Sequence, residues 1–237
     1  MEARERRSAL RSAHYRADGS AVVSLAAEVL QRADVLQILG DGLLTAVDQR
    51  VEGAREAASA CAATLRQRGW DGDDLLADHL EGLIGAGPAL TLTPLAVDLE
   101  ELANILEGDP VYGGGRIDRL TGEVWPQPAI DYAVEMGDED QGESESSEHW
   151  LRVECLGSVE SYRDMEFFIG GVEDASEANR LTAAIDGRGA FRRFRDALDD
   201  WPEELDRWHA ISEDRQRGRA RVWLAERGYC VSPGPQS

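Results

Sequence analysis

The chain has 237 residues, 42% of them hydrophobic, and carries 46 acids against 25 bases for a net charge of −21. That is enough apolar material for one large domain or two small ones, and the charge speaks against a duplex nucleic-acid backbone or an anionic membrane as the general partner. All 25 bases are arginine, which excludes lysine Schiff-base chemistry and a phosphate-loop lysine and is explained more simply by a GC-rich genome than by function.

Cys61, Cys155 and Cys230 are odd in number, far apart and in no C-x-x-C pair, so neither a disulfide framework nor a zinc site is expected, and the natural compartment is a reducing cytoplasm. Arg4, Arg6, Arg7, Arg11 and Arg16 crowd the start, but Glu28, Arg32 and Asp34 interrupt the next hydrophobic stretch, unlike a signal peptide. No run reaches the roughly 18 apolar residues of a membrane span, so export and membrane insertion are not expected. The negative charge is concentrated: residues 97–186 hold 5 arginines and 23 acids, a net −18, whereas residues 187–237 hold 10 and 9.

After a polar, frayed start, Ser20 is placed to cap a helix to about Leu39, with Val22, Leu25, Ala26, Val29, Ala33 and Leu36 at helical spacing and Gly40 as the stop. Asp41 restarts the chain into a second helix whose seam is Leu44, Val47, Val51, Ala54, Ala58, Cys61 and Leu65. Its small central members invite a close helix neighbour, either within the chain's own bundle or, in the sharper reading, a second copy in a homodimer through 44–65. Gly69 ends that helix. Asp71 and Asp74 open a third, with Leu76, Leu80, Leu83 and Ile84 inward and Gly85 at its end. His79 beside this face reads as a partly buried structural histidine rather than a ligand or base. These helices make a unit over residues 1–88, and the glycines and prolines of 85–96 read as a linker.

The second unit, 96–230, opens on Asp98 as N-cap, with Glu101 at N3 and a Val97–Leu102 staple. The helix runs through Ile105 and Leu106 to Gly108. Val111 to Leu120 and Glu123-Val124-Trp125 form a hairpin around Thr121-Gly122, with Gly122 in the left-handed region. Gly113-Gly114-Gly115 lacks the Lys-Ser/Thr of a phosphate loop and reads as a strand entry or bulge. Seven acids between Glu135 and Glu148 make about 135–149 a disordered, solvated loop without calcium-loop spacing. Trp150 to Leu156 alternates as a third strand. Ser161, with Asp164 at N3, starts a helix whose Met165, Phe168, Ile169 and Val172 form a stripe over the sheet. Asp174 or Ser176 starts the next helix, which carries Leu181, Ala184 and Ile185 to Gly187.

Gly187 to Arg195 opens a short helix with Ala190, Phe191, Phe194, Ala197 and Leu198 toward the core and Arg192, Arg193 and Arg195 outward. Arg192 reaches Asp196 and Arg195 reaches Asp199 at i+4. The last helices run from Pro202 through Leu205, Trp208 and Ile211 to Val222, Trp223 and Leu224. Arg215, Arg217, Arg219 and Arg221 punctuate them, Arg217 partly neutralised by Glu213. His209, with Asp206 and Glu213 on adjacent turns, is a conceivable acid–base group that reads better as surface pairing. The tail from Ser232 is expected to be disordered.

Tyr162-Arg163-Asp164-Met165-Glu166-Phe167-Phe168-Ile169, Gly187-Arg188-Gly189-Ala190-Phe191-Arg192-Arg193-Phe194, Trp201-Pro202, Trp208 and Arg219-Ala220-Arg221-Val222-Trp223-Leu224 carry a resemblance. With the Asp98-Leu99-Glu100-Glu101-Leu102 opening and the Thr121-Gly122-Glu123-Val124 turn, they resemble a bacterial group of unknown function, uncharacterised protein family 0158, over roughly residues 97–228. The chain departs from the group at Arg195, where lysine is frequent, and in its long helical preface. The resemblance implies no activity, cofactor or catalytic residue.

Together these features imply an α+β protein: an N-terminal helical bundle, then a small antiparallel sheet packed against C-terminal helices. The leading functional expectation is a non-enzymatic cytoplasmic protein that binds or regulates another protein, with no cofactor, no metal and no catalytic residue. Its candidate binding residues are Arg188, Arg192, Arg193, Trp201 and Trp208, of which Arg188, between two glycines, is foremost. One alternative is a nucleic-acid module that uses the same arginines and aromatics. Others are an acidic DNA mimic and an enzyme without a recognisable motif.

Overall fold

The computed structural model describes residues 3–31, 35–108, 113–136 and 149–232, and within them the chain is α+β. The N-terminal part is five helices: α1 (Ala3–Tyr15), α2 (Gly19–Val29), α3 (Leu36–Asp48), α4 (Ala54–Arg68) and α5 (Asp73–Ile84). The expected frayed start is α1. Its polar sequence hides two inward residues, Leu10 and Ala13, both buried in the bundle core, while Arg7 donates to the Asp206 carbonyl at 2.8 Å. A helix with so few apolar positions is held by its neighbours rather than by its own pattern.

Gly40 does not stop a helix; it lies inside α3. A Cβ there would sit 2.5 Å from Leu76 Cδ2, so the glycine serves close approach of α3 and α5. The second helix expected to run unbroken is instead divided into α3 and α4 by a turn in which Arg50 and Gly53 take positive φ, 58° and 80°. The seam residues Ala58, Cys61 and Leu65 are filled by the chain's own core, beside Leu39, Leu43, Leu76 and Leu80. That seam therefore faces the chain's own bundle. Leu83, placed inward by sequence, is 40% exposed.

The expected linker contains β1 (Thr93–Leu95), which pairs in parallel with β5 (Tyr229–Val231), Pro94 opposite Cys230. Pro94 cannot donate to a ladder, but an edge strand tolerates that. Next comes α6 (Leu99–Leu106), capped as expected: the Asp98 side chain accepts from the Glu100 amide at 2.8 Å. The sheet of β2 (Gly115–Asp118), β3 (Val124–Pro126) and β4 (Trp150–Val153) is antiparallel in the order β3-β2-β4. Ile117 sits between Val124 and Leu151, and Gly122 in the hairpin turn has φ 81°. Between β3 and the acidic stretch lies a helix the sequence reading missed, α7 (Gln127–Glu135), with Pro128 in its first turn. Residues 137–148 of the expected acidic loop, and the tail beyond 232, lie outside the described residues.

Four helices complete the chain: α8 (Val159–Gly170), α9 (Ala175–Ile185), α10 (Ala190–Leu198) and α11 (Pro202–Ala225). The α8 stripe does not cover the sheet. Met165 and Phe168 join Leu181, Phe194, Leu198 and Ile211 in a cluster distinct from the sheet's. Ser161 does not start the helix either; α8 begins at Val159, so Ser161 and Asp164 lie within it. Phe191, placed inward by sequence, is 41% exposed, because the core-facing line of α10 is Ala190, Phe194, Ala197 and Leu198.

The last helices are one, the 24-residue α11, and it enters all three apolar clusters. Ala210 joins the N-terminal bundle, Ile211 the α8–α10 cluster, and Ala220, Trp223 and Leu224 the sheet cluster. Among the described residues no helix is long and apolar enough to cross a membrane.

Candidate functional site

The residues nominated from sequence lie on or near the α9–α10–α11 corner. Arg193 is committed to backbone: its guanidinium donates to the carbonyls of Ala184 at 3.0 Å, Asp186 at 2.5 Å and Arg188, closing the C-terminal end of α9 as cations do at helix C-termini. Arg192 is exposed and faces Asp196 at 3.7 Å. The expected Arg195–Asp199 ion pair does not form among the described residues, and Asp200 is paired with Arg180. Trp208 packs edge-to-face on Phe194, centroids 4.9 Å apart, and on Phe168 at 5.6 Å. Trp201 lies under the Arg180 guanidinium at 4.8 Å. Arg188 is exposed. The five nominees therefore do not converge on one concavity: two are packing, one is a helix clip, and Arg188 and Arg192 face solvent. His209 is exposed too.

The arginines that punctuate the last helices in sequence are instead drawn into a buried network with acids from other elements. On one side of α11, Asp41 lies between Arg217 at 3.4 Å and Arg221 at 2.5 Å. Arg217 also faces Glu100 at 3.3 Å and the Tyr15 hydroxyl at 3.2 Å. Arg221 Nε donates to Gln37 at 2.9 Å, and Gln37 passes its amide to Asp73 at 2.8 Å. Arg68 then joins Asp73 and Asp214, both at 2.6 Å. On the adjacent side of the helix, Asp164 receives Arg215 at 2.5 Å and Arg219 at 2.7 Å, and Glu107 also holds Arg219. Glu213, expected on Arg217, points to Arg11 at 3.3 Å instead.

Spacing explains the two faces: 214, 217 and 221 share one line of the helix and 215 and 219 the next. Burial is the largest influence on the Asp41 carboxyl and would raise it, but Arg221, His14 and Arg217 outweigh it and hold it below the usual range. At Asp214, whose Arg68 is shared with Asp73, burial wins and the carboxyl sits high. The acids of the spine already accept from guanidiniums, so the network is a lock between elements rather than a reactive centre.

His79 stands beside this lock. Burial first, then Arg221, pushes its imidazole down to about 4 from 6.5, against a smaller upward pull from Asp41. The unfolded state binds the proton more readily, so stability present above pH 6.5 is lost as pH falls toward 4. The His79→Gln variant should flatten that decline by up to about 1.4 kcal/mol per pH unit, read by urea unfolding at each pH. An unchanged slope would place a charged imidazole in the fold.

One concave feature is a cleft of about 330 Å³ between α6, the hairpin and α7, lined by Glu101, Asn104, Ile105, Gly108, Gly114 and Val124, with Pro126 and Pro128 at the α7 end. Its lining is mainly apolar. Along α7, Tyr132 and Met136 follow Pro128 at i+4 and i+8 and are 65% and 70% exposed, so the apolar surface continues out of the cleft along one helix line. None of these residues was nominated from sequence. The available signal was Pro126-Gln127-Pro128, a helix start close behind a strand. Among the described residues, no group of three or more His, Cys, Asp or Glu is gathered to hold a metal ion.

Comparison with known proteins places these features. No solved structure matches the chain. UPF0158 protein PA5073 from Pseudomonas aeruginosa is 25% identical over 140 residues, which are 57% of this chain and 85% of that protein. The model of an uncharacterised protein family, UPF0158, matches residues 93–231, and those limits coincide with the start of β1 and the end of β5, the two strands that close on each other. The cleft and both faces of α11 fall within the match, whereas Asp41, Arg68 and Asp73 fall outside it. With more than half of its length matched, the chain belongs to the uncharacterised protein family UPF0158.

Proposed function

We propose that this chain is a non-enzymatic, cytoplasmic binding or regulatory protein whose partner is another protein, received in the cleft between α6, the hairpin and α7. The observation that carries this reading is the apolar lining that runs out of the cleft onto Pro128, Tyr132 and Met136. A continuous exposed apolar surface beside a concavity is costly to leave in water and is typical of an interaction site. The ionic lock of α11 supports the same reading, since a docking surface gains from a rigid frame.

A photoreactive aromatic placed at Tyr132 in cells should yield one discrete protein adduct, and the same group at Arg188 should not. Met136→Arg, on an exposed position, should lower the adduct about tenfold. Adducts of equal strength from position 188, or none from 132, would refute the cleft as the docking site.

A further inference from the structure

The cleft is apolar, and the charged groups that act on the glutamate in its lining have one sign. Glu101 lines it, and the charged groups that act on Glu101 are Asp98, Glu123 and Glu100, all acids. Asp98 is used in capping α6, and Glu100 is taken by Arg11, Arg217 and the Tyr15 hydroxyl. Glu101 and Glu123 are exposed and meet no cation among the described residues. On α7, Asp131 and Glu135 lie at i+3 and i+7 from Pro128, the helix line next to Tyr132 and Met136, and both are exposed. An apolar track is thus edged by carboxylates at its mouth and along its side.

We propose that the occupant is a basic, apolar-anchored segment of a different protein: a large aliphatic or aromatic side chain enters between Ile105, Val124 and Pro126, further apolar residues follow Tyr132 and Met136, and an arginine or lysine meets Glu101. The assignment rests on the reading of the cleft as a protein-docking site. It follows from charge complementarity, which selects partners and rejects those of like charge. A phosphate backbone would meet the same carboxylates and be repelled. The track is also longer than the cleft alone, so a peptide segment with anchors a helical turn apart fills it better than a compact small molecule. The Glu101 carboxyl is raised from its ordinary value by partial burial and then by its acidic neighbours, and an incoming guanidinium offsets the repulsion from those neighbours.

The test is a randomised array of twelve-residue peptides probed with the full chain. The expected result is selection of a large apolar residue with Arg or Lys three or four positions away, with binding that weakens as salt rises. Glu101→Gln keeps a side chain suited to N3 of α6 and should weaken the selected peptide about three- to fivefold. It should have little effect on the same peptide with its Arg changed to Gln, the signature of direct coupling. Apolar peptides selected without a basic residue, indifferent to Glu101→Gln but lost in Tyr132→Arg, would overturn the basic partner and leave the docking site standing. Concentration-dependent self-association abolished by Tyr132→Arg would overturn it in favour of a second copy. No selected peptide, or binding indifferent to Tyr132→Arg, would overturn both.

Discussion

Asp41→Ala is expected to destabilise the protein by about 3–5 kcal/mol, the cost of leaving buried guanidiniums without their acid. Asp41 is 4% exposed and is the shared partner of Arg217 and Arg221, themselves 5% and 4% exposed. Removing it leaves the buried Arg221 facing the neutral Gln37 and the buried Arg217 reliant on Glu100 and the Tyr15 hydroxyl; truncating an exposed pair such as Arg192–Asp196 should cost less than about 1 kcal/mol. For a chain of this size the loss corresponds to a fall in Tm of about 10 °C, measurable by calorimetry. Replacing the set together, Asp41→Leu with Arg217→Met and Arg221→Met, should recover most of the stability, because a packed apolar substitute avoids the desolvation cost of all three charges. A single variant within about 1 kcal/mol of the parent would show that water reaches the network.

Gly218→Ala should be almost as damaging, against the intrinsic preference of helices. Gly218 lies in the interior of α11, where alanine normally gains about 1 kcal/mol over glycine. A Cβ here would overlap the backbone carbonyl oxygen of Asp71, and a Cβ at Gly72 would overlap the Gly218 carbonyl. The two segments touch backbone to backbone, with no flexible side chain to yield. The start of α5 must therefore move off α11, and Asp214, Arg217 and Arg221, which flank Gly218 on that side, lose register with Arg68 and Asp41. Overpacking of this kind costs about 1–3 kcal/mol or more, so a net loss of about 2–3 kcal/mol is expected in urea unfolding. A stabilised Gly218→Ala would mean that the contact is loose in solution.

Local chemistry was legible where it is local. Asp98 and Asp174 cap helices because a carboxylate is placed to accept the first free amides, as the sequence indicates. Gly122 has φ 81° in the hairpin turn, and the alternation of Leu151 and Val153 places them on the buried face of β4. The bundle's inner residues followed from helical periodicity, and so did the α+β class. Errors arose wherever one residue type has two physical uses. Gly40 looked like a stop and is a contact. Phe191 looked like core and is half-exposed, because a nine-residue helix offers only one line inward.

The candidate site was not legible, because a cleft is made by elements distant in sequence. Ile105, Val124 and Pro128 come from three elements, and nothing in the spacing of each announces the others. The acid bias of 97–186 was visible, but the residues between the hairpin and the acidic run at 135–149 were given no element, and α7 was overlooked.

The class of fold, the Asp98 cap, the hairpin, the family and the concentration of negative charge in residues 97–186 could be read from the amino-acid order alone, since these depend on neighbours within a few residues or on composition. What the arginines of α11 do depends on packing. On a helix, Arg215, Arg217, Arg219 and Arg221 divide between two faces whatever surrounds them. Whether such a face meets water or a buried carboxylate depends on Asp41, Arg68, Glu107 and Asp164, which come from four other helices or their ends. Burying a charge is tolerable only when that partner arrives, and its arrival is a property of the packed chain alone.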